Sequence, residues 1–378
     1  MLSYQERERF KNMKVALVHD HLNQIGGAEK VLLVFKEIWP KAPIYTLLYY
    51  PQKTRGLFKN FEIKESFIKK LPFSHKFFKF YLPLMPAAIE GLDLTDYDLI
   101  ISDASAFAKG VIPKPSALHI CYCHTPTRYL WSDTHSYVQN LNYSRLLKKI
   151  LLIILNRLRS WDYQAAQRVD KFIANSYFVA QRIKKYYHRS SKVIYPPVET
   201  DKYKISSDIR NYFLIIARLR PYKKVDLAIK AFNRLRIPLK IIGKGEEEKK
   251  LRKMAKENIE FLGAVSEEEK VKYLSHCQAL IYPQEEDFGI TAVEAMASGR
   301  PVIAYKSGGA LETIIEGKTG LFFEEQTWED LANEVIKFNS KDFNPYEIKE
   351  HAQKFNPERF KKEIREFVVK SLQEHQNN

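Results

Sequence analysis

The sequence predicts an α/β protein of two doubly wound, Rossmann-like domains facing each other across a cleft. Short β-branched runs alternate with longer stretches of helical period along the whole chain. The runs are apolar at nearly every position, as strands of a parallel sheet covered on both faces must be. The alternation breaks once, at PPVETDKYKISSDIRN, a polar stretch that opens with Pro196-Pro197 and carries no core pattern. The expected division is one Rossmann-like domain over residues 1–200, a second over 201–355, and a C-terminal helix over 356–378 that packs back on the first domain.

In chain order, the first six strands are expected as VALVHD (15–20), IYTLLY (44–49), LIISDA (99–104), LHICYC (118–123), KFIANS (171–176) and KVIYPP (192–197). The second six are YFLIIAR (212–218), LKIIGK (239–244), IEFLGA (259–264), QALIYP (278–283), PVIAYK (301–306) and LFFEE (321–325). Ligands of such sheets bind beyond the carboxyl ends of the strands, so motifs at strand ends carry the functional reading.

Composition limits the choices. At 378 residues with 45% hydrophobic and 13% aromatic content, the chain is globular and ample for two cores. Its net charge of +16, from 61 basic against 45 acidic residues, asks for an anionic partner: nucleic acid, an anionic membrane face or a phosphorylated ligand. Cys121, Cys123 and Cys277 form neither a disulfide framework nor a four-ligand zinc pattern, which fits a reducing cytoplasm. The opening MLSYQERERFKN lacks the apolar core of a secretory signal, and the longest apolar run, residues 150–155, is too short to span a bilayer.

Four motifs stand at strand ends. HDHLNQIGGAEKVLL places Gly26 and Gly27 where a helix starts, a turn that serves an ordinary connection as readily as close approach of a phosphate. IARLRPYKKVDLAIKAF sets Arg218, Lys223 and Lys224 before an amphipathic helix. Cations oppose the helix dipole there, and a phosphate would relieve the conflict. IIGKGEEEKKL offers Gly243 and Gly245, needed by a tight turn as much as by a nucleotide lying on the backbone. EEDFGITAVEAMASGRPV puts Glu286 in a strand-end loop, Gly289 at the turn, and Glu294 about one turn into the next helix. A carboxylate matches paired hydroxyls of a sugar or ribose, and the amides near Gly289 suit an anion between two such groups. Capping the helix explains the acids of residues 285–287 but not Glu294 among Ala and Val, where an unpartnered charge is costly.

Taken together and in order, these residues resemble the retaining glycosyltransferases of family 4, which have the GT-B fold. The E-x7-E pair is Glu286–Glu294, and the likeness runs from about Met13 to Phe367. CYCHTPTRYLW, IANSYFVAQRI and RLRPYKKVDLAIKAF look most like bacterial mannosyltransferase-type members of surface polysaccharide assembly. The resemblance implies that Glu286, with backbone amides at Phe288, Gly289 and Ile290, holds the donor hexose, and that Glu294 takes the ribose diol. It further implies that Arg218 and Lys223 neutralise the diphosphate, that Gly27 lets its loop approach it, and that His124 points at the sugar near the reacting carbon. No metal or other cofactor is implied. Where many relatives have glycine after the lysine, this chain has Lys224, which leaves open which lysine reaches the phosphates.

The resemblance implies that residues 1–200 form the acceptor side and that residues 201–355 bind a nucleotide-sugar donor, whose base the residues do not select. GDP-mannose follows from the resemblance alone, and a UDP-hexose donor or a sugar-nucleotide epimerase are the alternatives. The expected acceptor is a glycan or a polyprenyl-diphosphate-linked glycan, with Arg128 positioned to meet its charge. Residues 67–86 (FIKKLPFSHKFFKFYLPLMP) and 143–161 (YSRLLKKILLIILNRLRSW) are basic, apolar and aromatic, as segments that bind anionic membranes are. The second is read equally well as a core helix with snorkelling lysines. Peripheral location on the inner face of the plasma membrane is therefore expected. A nucleic-acid-binding role, which the charge alone would permit, lacks any recognition motif.

Overall fold

A computed structural model describes residues 13–376 except 140 and 142, so the polar opening MLSYQERERFKN lies outside the described residues. The chain divides into two compact units. The first runs to Tyr195 and resumes at Phe360; the second is Pro196–Arg359.

The first unit holds a seven-stranded parallel sheet in the order β3-β2-β1-β4-β5-β6-β7. Its strands are β1 (Val15–His19), β2 (Ile44–Thr46), β3 (Ile63–Glu65), β4 (Leu99–Ala104), β5 (Leu118–Cys123), β6 (Lys171–Ala174) and β7 (Ser191–Val193). Successive residues feed opposite cores, as the period of two dictates. Ala16, Val18, Ile100 and Cys121 fill one face, while Val15, Leu17, Ile101 and Ile120 fill the other. The second face is closed by the helix Pro357–Gln376, whose Phe360, Ile364 and Val368 recur at the helical spacing of four. The Phe360 ring packs on Phe35 and Tyr122 with centroids 5.5 and 5.6 Å apart.

The second unit holds a six-stranded parallel sheet ordered β10-β9-β8-β11-β12-β13. These are β8 (Phe213–Ile216), β9 (Leu239–Ile242), β10 (Ile259–Gly263), β11 (Leu280–Tyr282), β12 (Val302–Tyr305) and β13 (Gly320–Phe323). The helix Val225–Leu235 lays Val225, Ala228, Ile229 and Phe232 on one face of it, at positions i, i+3, i+4 and i+7.

All twelve expected strands form. β3 was not anticipated. It is a three-residue edge strand with half-buried side chains, too short for its alternation to register as a pattern. In each sheet the winding reverses once, between β1 and β4 and between β8 and β11. Those reversals open a crevice at the carboxyl ends of the strands, where ligands of doubly wound sheets bind.

Candidate functional site

In the second unit the loops leaving β8, β9, β11 and β12 meet at the carboxyl edge. Arg218, exposed, follows β8. Its loop is braced by the GKG turn: Leu219 N–H donates to Lys244 O at 3.0 Å and Ala217 N–H to Ile242 O at 3.0 Å. A Cβ at Gly243 would stand 1.8 Å from Ala217 O, and one at Gly245 would stand 2.2 Å from Leu219 O. Two backbones therefore touch here, and only glycine admits the contact. That steric need accounts for both glycines without a nucleotide.

Lys223 ends a short 3-10 turn, and its ammonium pairs with the Glu286 carboxylate from the loop after β11. Lys224 caps the helix Val225–Leu235 at φ +52°, a left-handed conformation that glycine adopts without strain. The departure from the glycine of many relatives thus falls where the backbone would prefer one. Gly289, at φ +102°, opens the helix Ile290–Ala297 without a side-chain cap. Beside it Phe288 is buried, its ring 5.6 Å from that of Phe355, while Ile290 is half-buried.

A further glycine pair holds this loop in place. Gly309 N–H donates to Glu286 O at 2.8 Å, and Ser307 Oγ to Glu285 Oε2 at 2.5 Å. A Cβ on Gly308 would lie 2.4 Å from Glu286 O, and one on Gly309 would lie 2.3 Å from Phe288 Cα. Sequence reasoning passed over Ser307-Gly308-Gly309, although a glycine pair between β12 and a helical turn was the available signal.

Glu294 is 4% exposed. It accepts from Lys270 Nζ at 3.0 Å and from the Tyr203 hydroxyl, whose pKa rises because of burial and then the Glu294 charge. These partners meet the cost of a charge among small apolar residues. A ribose diol reaching Glu294 has to share it with them.

In the first unit, the register His19↔Asp103 and Ala104↔Cys123 levels the ends of β1, β4 and β5. Asp103 accepts from His19 Nδ1 at 2.8 Å through one oxygen and from His124 Nε2 at 2.5 Å through the other. Burial opposes charge on His19, but hydrogen bonds to Asp103 and Glu29 outweigh it and raise its pKa to about 10. Burial holds the neighbouring His21 neutral, its pKa lowered to about 4. Asp20 gathers the N–H groups of Ser105, Ala106, Phe107 and Ala108 at 2.6–2.8 Å, which draws the loop after β4 over β1. Gly26 and Gly27 are partly exposed at the start of the helix Gly27–Ile38, with the Gly26 N–H donated to Glu29 Oε2 at 2.8 Å. Among these, His19, Asp20, Glu29 and Asp103 were not singled out by sequence; the signal was the run His19-Asp20-His21 closing an apolar strand.

The loop from His124 to Trp131 is fastened by buried Asp162, which accepts from Thr127 Oγ1 at 3.0 Å, Trp131 Nε1 at 2.8 Å and Lys109 Nζ at 2.5 Å. Half-buried Arg128 in that loop lies 3.8 Å from Asp133.

Residues 25–202 match the model described as Glycosyltransferase Family 4, and residues 199–367 match that of Glycosyl transferases group 1. The chain belongs to the family 4 glycosyltransferases. It is 26% identical to the alpha-1,3/1,6-mannosyltransferase ALG2 of Dictyostelium discoideum, over 88% of this chain and 91% of that one. It is 31% identical to an uncharacterized glycosyltransferase of Methanocaldococcus jannaschii over 49% of this chain, and the matched part spans only 55% of that relative. The crystal structure of Anabaena HepE in complex with UDP superposes with a TM-score of 0.71 at 19% identity, covering 95% of this chain and all of that one. The fold is that of a GT-B glycosyltransferase.

This family 4 enzyme also carries two apolar surfaces on its first unit. Phe67, Phe73, Phe77, Phe80 and Leu84 are exposed among Lys69, Lys70, Lys76 and Lys79, with Phe73 75% exposed. From the same segment Phe78 turns inward, its ring 5.5 Å from that of His21. The helix Arg145–Arg168 leaves Leu146, Leu147, Ile150 and Ile153 open to solvent and buries Leu155, Leu158, Ala165 and Ala166. Core packing thus reaches back along the helix to Leu151 and Ile154, while the four positions named first stay exposed. No helix among the described residues is long and apolar enough to cross a membrane.

Proposed function

We propose that the enzyme moves a hexose, mannose from GDP-mannose as first choice, from a nucleotide sugar to a glycan or polyprenyl-diphosphate-linked glycan. On this reading the anomeric configuration is retained and no metal ion takes part. The observation that carries it is the Lys223–Glu286 pair beside the uncapped start of the helix Ile290–Ala297, at the reversal point of the second sheet. An arriving donor offers each member of that pair a better partner: diphosphate for Lys223, hexose hydroxyls for Glu286.

Cleaving the bond from anomeric carbon to phosphate leaves negative charge on the diphosphate and positive charge on the sugar. Arg218, Lys223 and the amides of Phe288, Gly289 and Ile290 are fixed cations and dipoles suited to the leaving group, and they supply the countercharge in place of a metal. Within the second unit Glu294 takes the ribose together with Lys270 and Tyr203; for the first unit the family resemblance assigns Gly26 and Gly27 to the phosphates, His124 to the transferred sugar and Arg128 to the acceptor. Mannose is favoured by the likeness to ALG2. A UDP-hexose donor is the second reading, favoured by the UDP bound to the Anabaena protein.

We place the enzyme peripherally on the inner face of the plasma membrane. The exposed phenylalanines and leucines would enter the interface between headgroups and acyl chains while the lysines around them meet anionic lipid.

The deciding experiment screens GDP- and UDP-sugars by thermal shift, then follows transfer in the presence of EDTA and determines the anomeric configuration of the product by NMR. A donor that raises the melting temperature and yields a retained, EDTA-insensitive product supports the reading. Inversion, loss of transfer in EDTA, or conversion of the donor with no acceptor present would each overturn the corresponding part.

A further inference from the structure

Four side chains at the carboxyl edge of the first sheet form one continuous chain. Gly26 N–H donates to Glu29 Oε2, Glu29 Oε1 lies 3.8 Å from His19 Nε2, His19 Nδ1 meets one oxygen of Asp103, and His124 Nε2 meets the other. Three of the four side chains are sealed, at 3% exposure for Glu29, 4% for His19 and 1% for Asp103; His124 alone opens outward, at 14%.

We propose that Asp103 is a positioning residue that fixes the tautomer and aim of His124, and that His19 and Glu29 lock Asp103 in turn, coupling the glycine-pair loop to the ring beside the sugar. The proposal rests on the reading that His124 faces the transferred hexose.

The argument is one of proton count. An ionised carboxylate only accepts hydrogen bonds, so each imidazole nitrogen facing Asp103 carries a proton. For His124 this places hydrogen on Nε2 and, in the neutral ring, leaves the lone pair on Nδ1 to receive a substrate hydroxyl. One Asp103 oxygen is committed to each histidine, so the carboxylate cannot turn away from His124 without abandoning a buried cation. Charges alternate along the chain. Glu29 and Asp103, whose carboxyls are held below their ordinary range against the effect of burial, flank a protonated His19. Asp20 and His21, from the same segment, also act electrostatically on His19. A network serving stability alone would have no need to end on the one member open to solvent.

The test uses the full chain carrying imidazole-15N histidine, with the His124 signals assigned by their loss in His124→Gln. Wild-type protein is expected to show the Nε2–H tautomer at His124. In Asp103→Asn, which can present either an amide donor or a carbonyl, a second tautomer is expected. Turnover should fall by about a hundredfold or more while the donor KM moves by less than about threefold, in keeping with the cost of losing the carboxylate that orients a catalytic imidazole. His19→Gln should lower kcat as well, with a smaller loss. An Nδ1–H tautomer in the wild type overturns the proposal without recourse to any variant, as does an unchanged His124 tautomer in a folded Asp103→Asn protein. Absence of turnover with every nucleotide sugar would instead strike at the transfer reading, and the tautomer measurement would still decide the coupling.

Discussion

Lys223 and Glu286, sixty-three residues apart, are joined by an ion pair at the reversal point of the second sheet. Each is partly exposed, so neither owes its place to burial. Glu286→Gln is expected to reduce transfer about a hundredfold, the scale of removing one preorganised polar contact in an active site, with little change in the unfolding midpoint. Lys223→Ala should raise the donor KM as well. Steady-state transfer assays beside urea unfolding separate these effects, and near-wild-type turnover in Glu286→Gln would remove it from the site.

Lys224 offers a sharper discrimination. Its φ of +52° is costly for any residue with a side chain, so Lys224→Gly should stabilise the second unit by about 0.5–1 kcal/mol. If Lys223 is the phosphate ligand, the same variant keeps its activity. A large loss of donor affinity in Lys224→Gly would transfer that role to Lys224.

Glu294→Ala removes the buried partner of Lys270 and leaves it only exposed Glu267, so the cost should fall short of that of a fully broken buried pair, about 3 kcal/mol. Lower stability is therefore expected in addition to weaker nucleotide binding. Pairing the variant with Lys270→Met should recover much of the stability and none of the binding. Recovery of both would mean that Glu294 has no contact with the ligand.

The two histidines of β1 and its exit loop set opposite pH limits. His19 has a folded pKa of about 10 against 6.5, so its contribution is complete below 6.5 and is lost as pH rises through about 10. His21, depressed to about 4, contributes fully above 6.5 and less as pH falls through about 4, and the lowered carboxyls of Asp20, Glu29 and Asp103 reinforce that acid limb. Urea unfolding across this range should show highest stability near neutrality. His19→Asn should flatten the alkaline limb; an unaltered limb would assign it to other groups.

For membrane docking, wild-type protein should co-sediment with vesicles containing phosphatidylserine or phosphatidylglycerol at low salt. Phe73→Ser with Phe77→Ser should weaken that binding at any ionic strength, whereas Lys76→Gln with Lys79→Gln should weaken it chiefly at low salt. Failure of the wild type to bind would leave both surfaces without this role.

Strands were legible in the sequence because twelve of them are apolar and long enough to stand out, and β3 was not because three half-buried residues at an edge leave no pattern. Motif positions were equally legible, but their physical reasons were not. Gly243 and Gly245 read as turn or nucleotide contact, and only the touching backbones of residues 217–219 and 243–245 show why the turn itself requires both. Glu294 stood out as a charge among small residues, yet its partners come from positions 203 and 270, and no local spacing could announce them. The same holds for His19 and Asp103, which parallel pairing unites across more than eighty residues.

Phe360, Ile364 and Val368 finish a core begun by Val15 and Leu17. A ribosome making this chain must therefore hold the first unit with one greasy flank uncovered until residues 360–368 have emerged, having built the second unit in between. Nascent chains stalled before residue 360 would be natural clients for chaperones, and early termination would harm the half of the enzyme synthesised first.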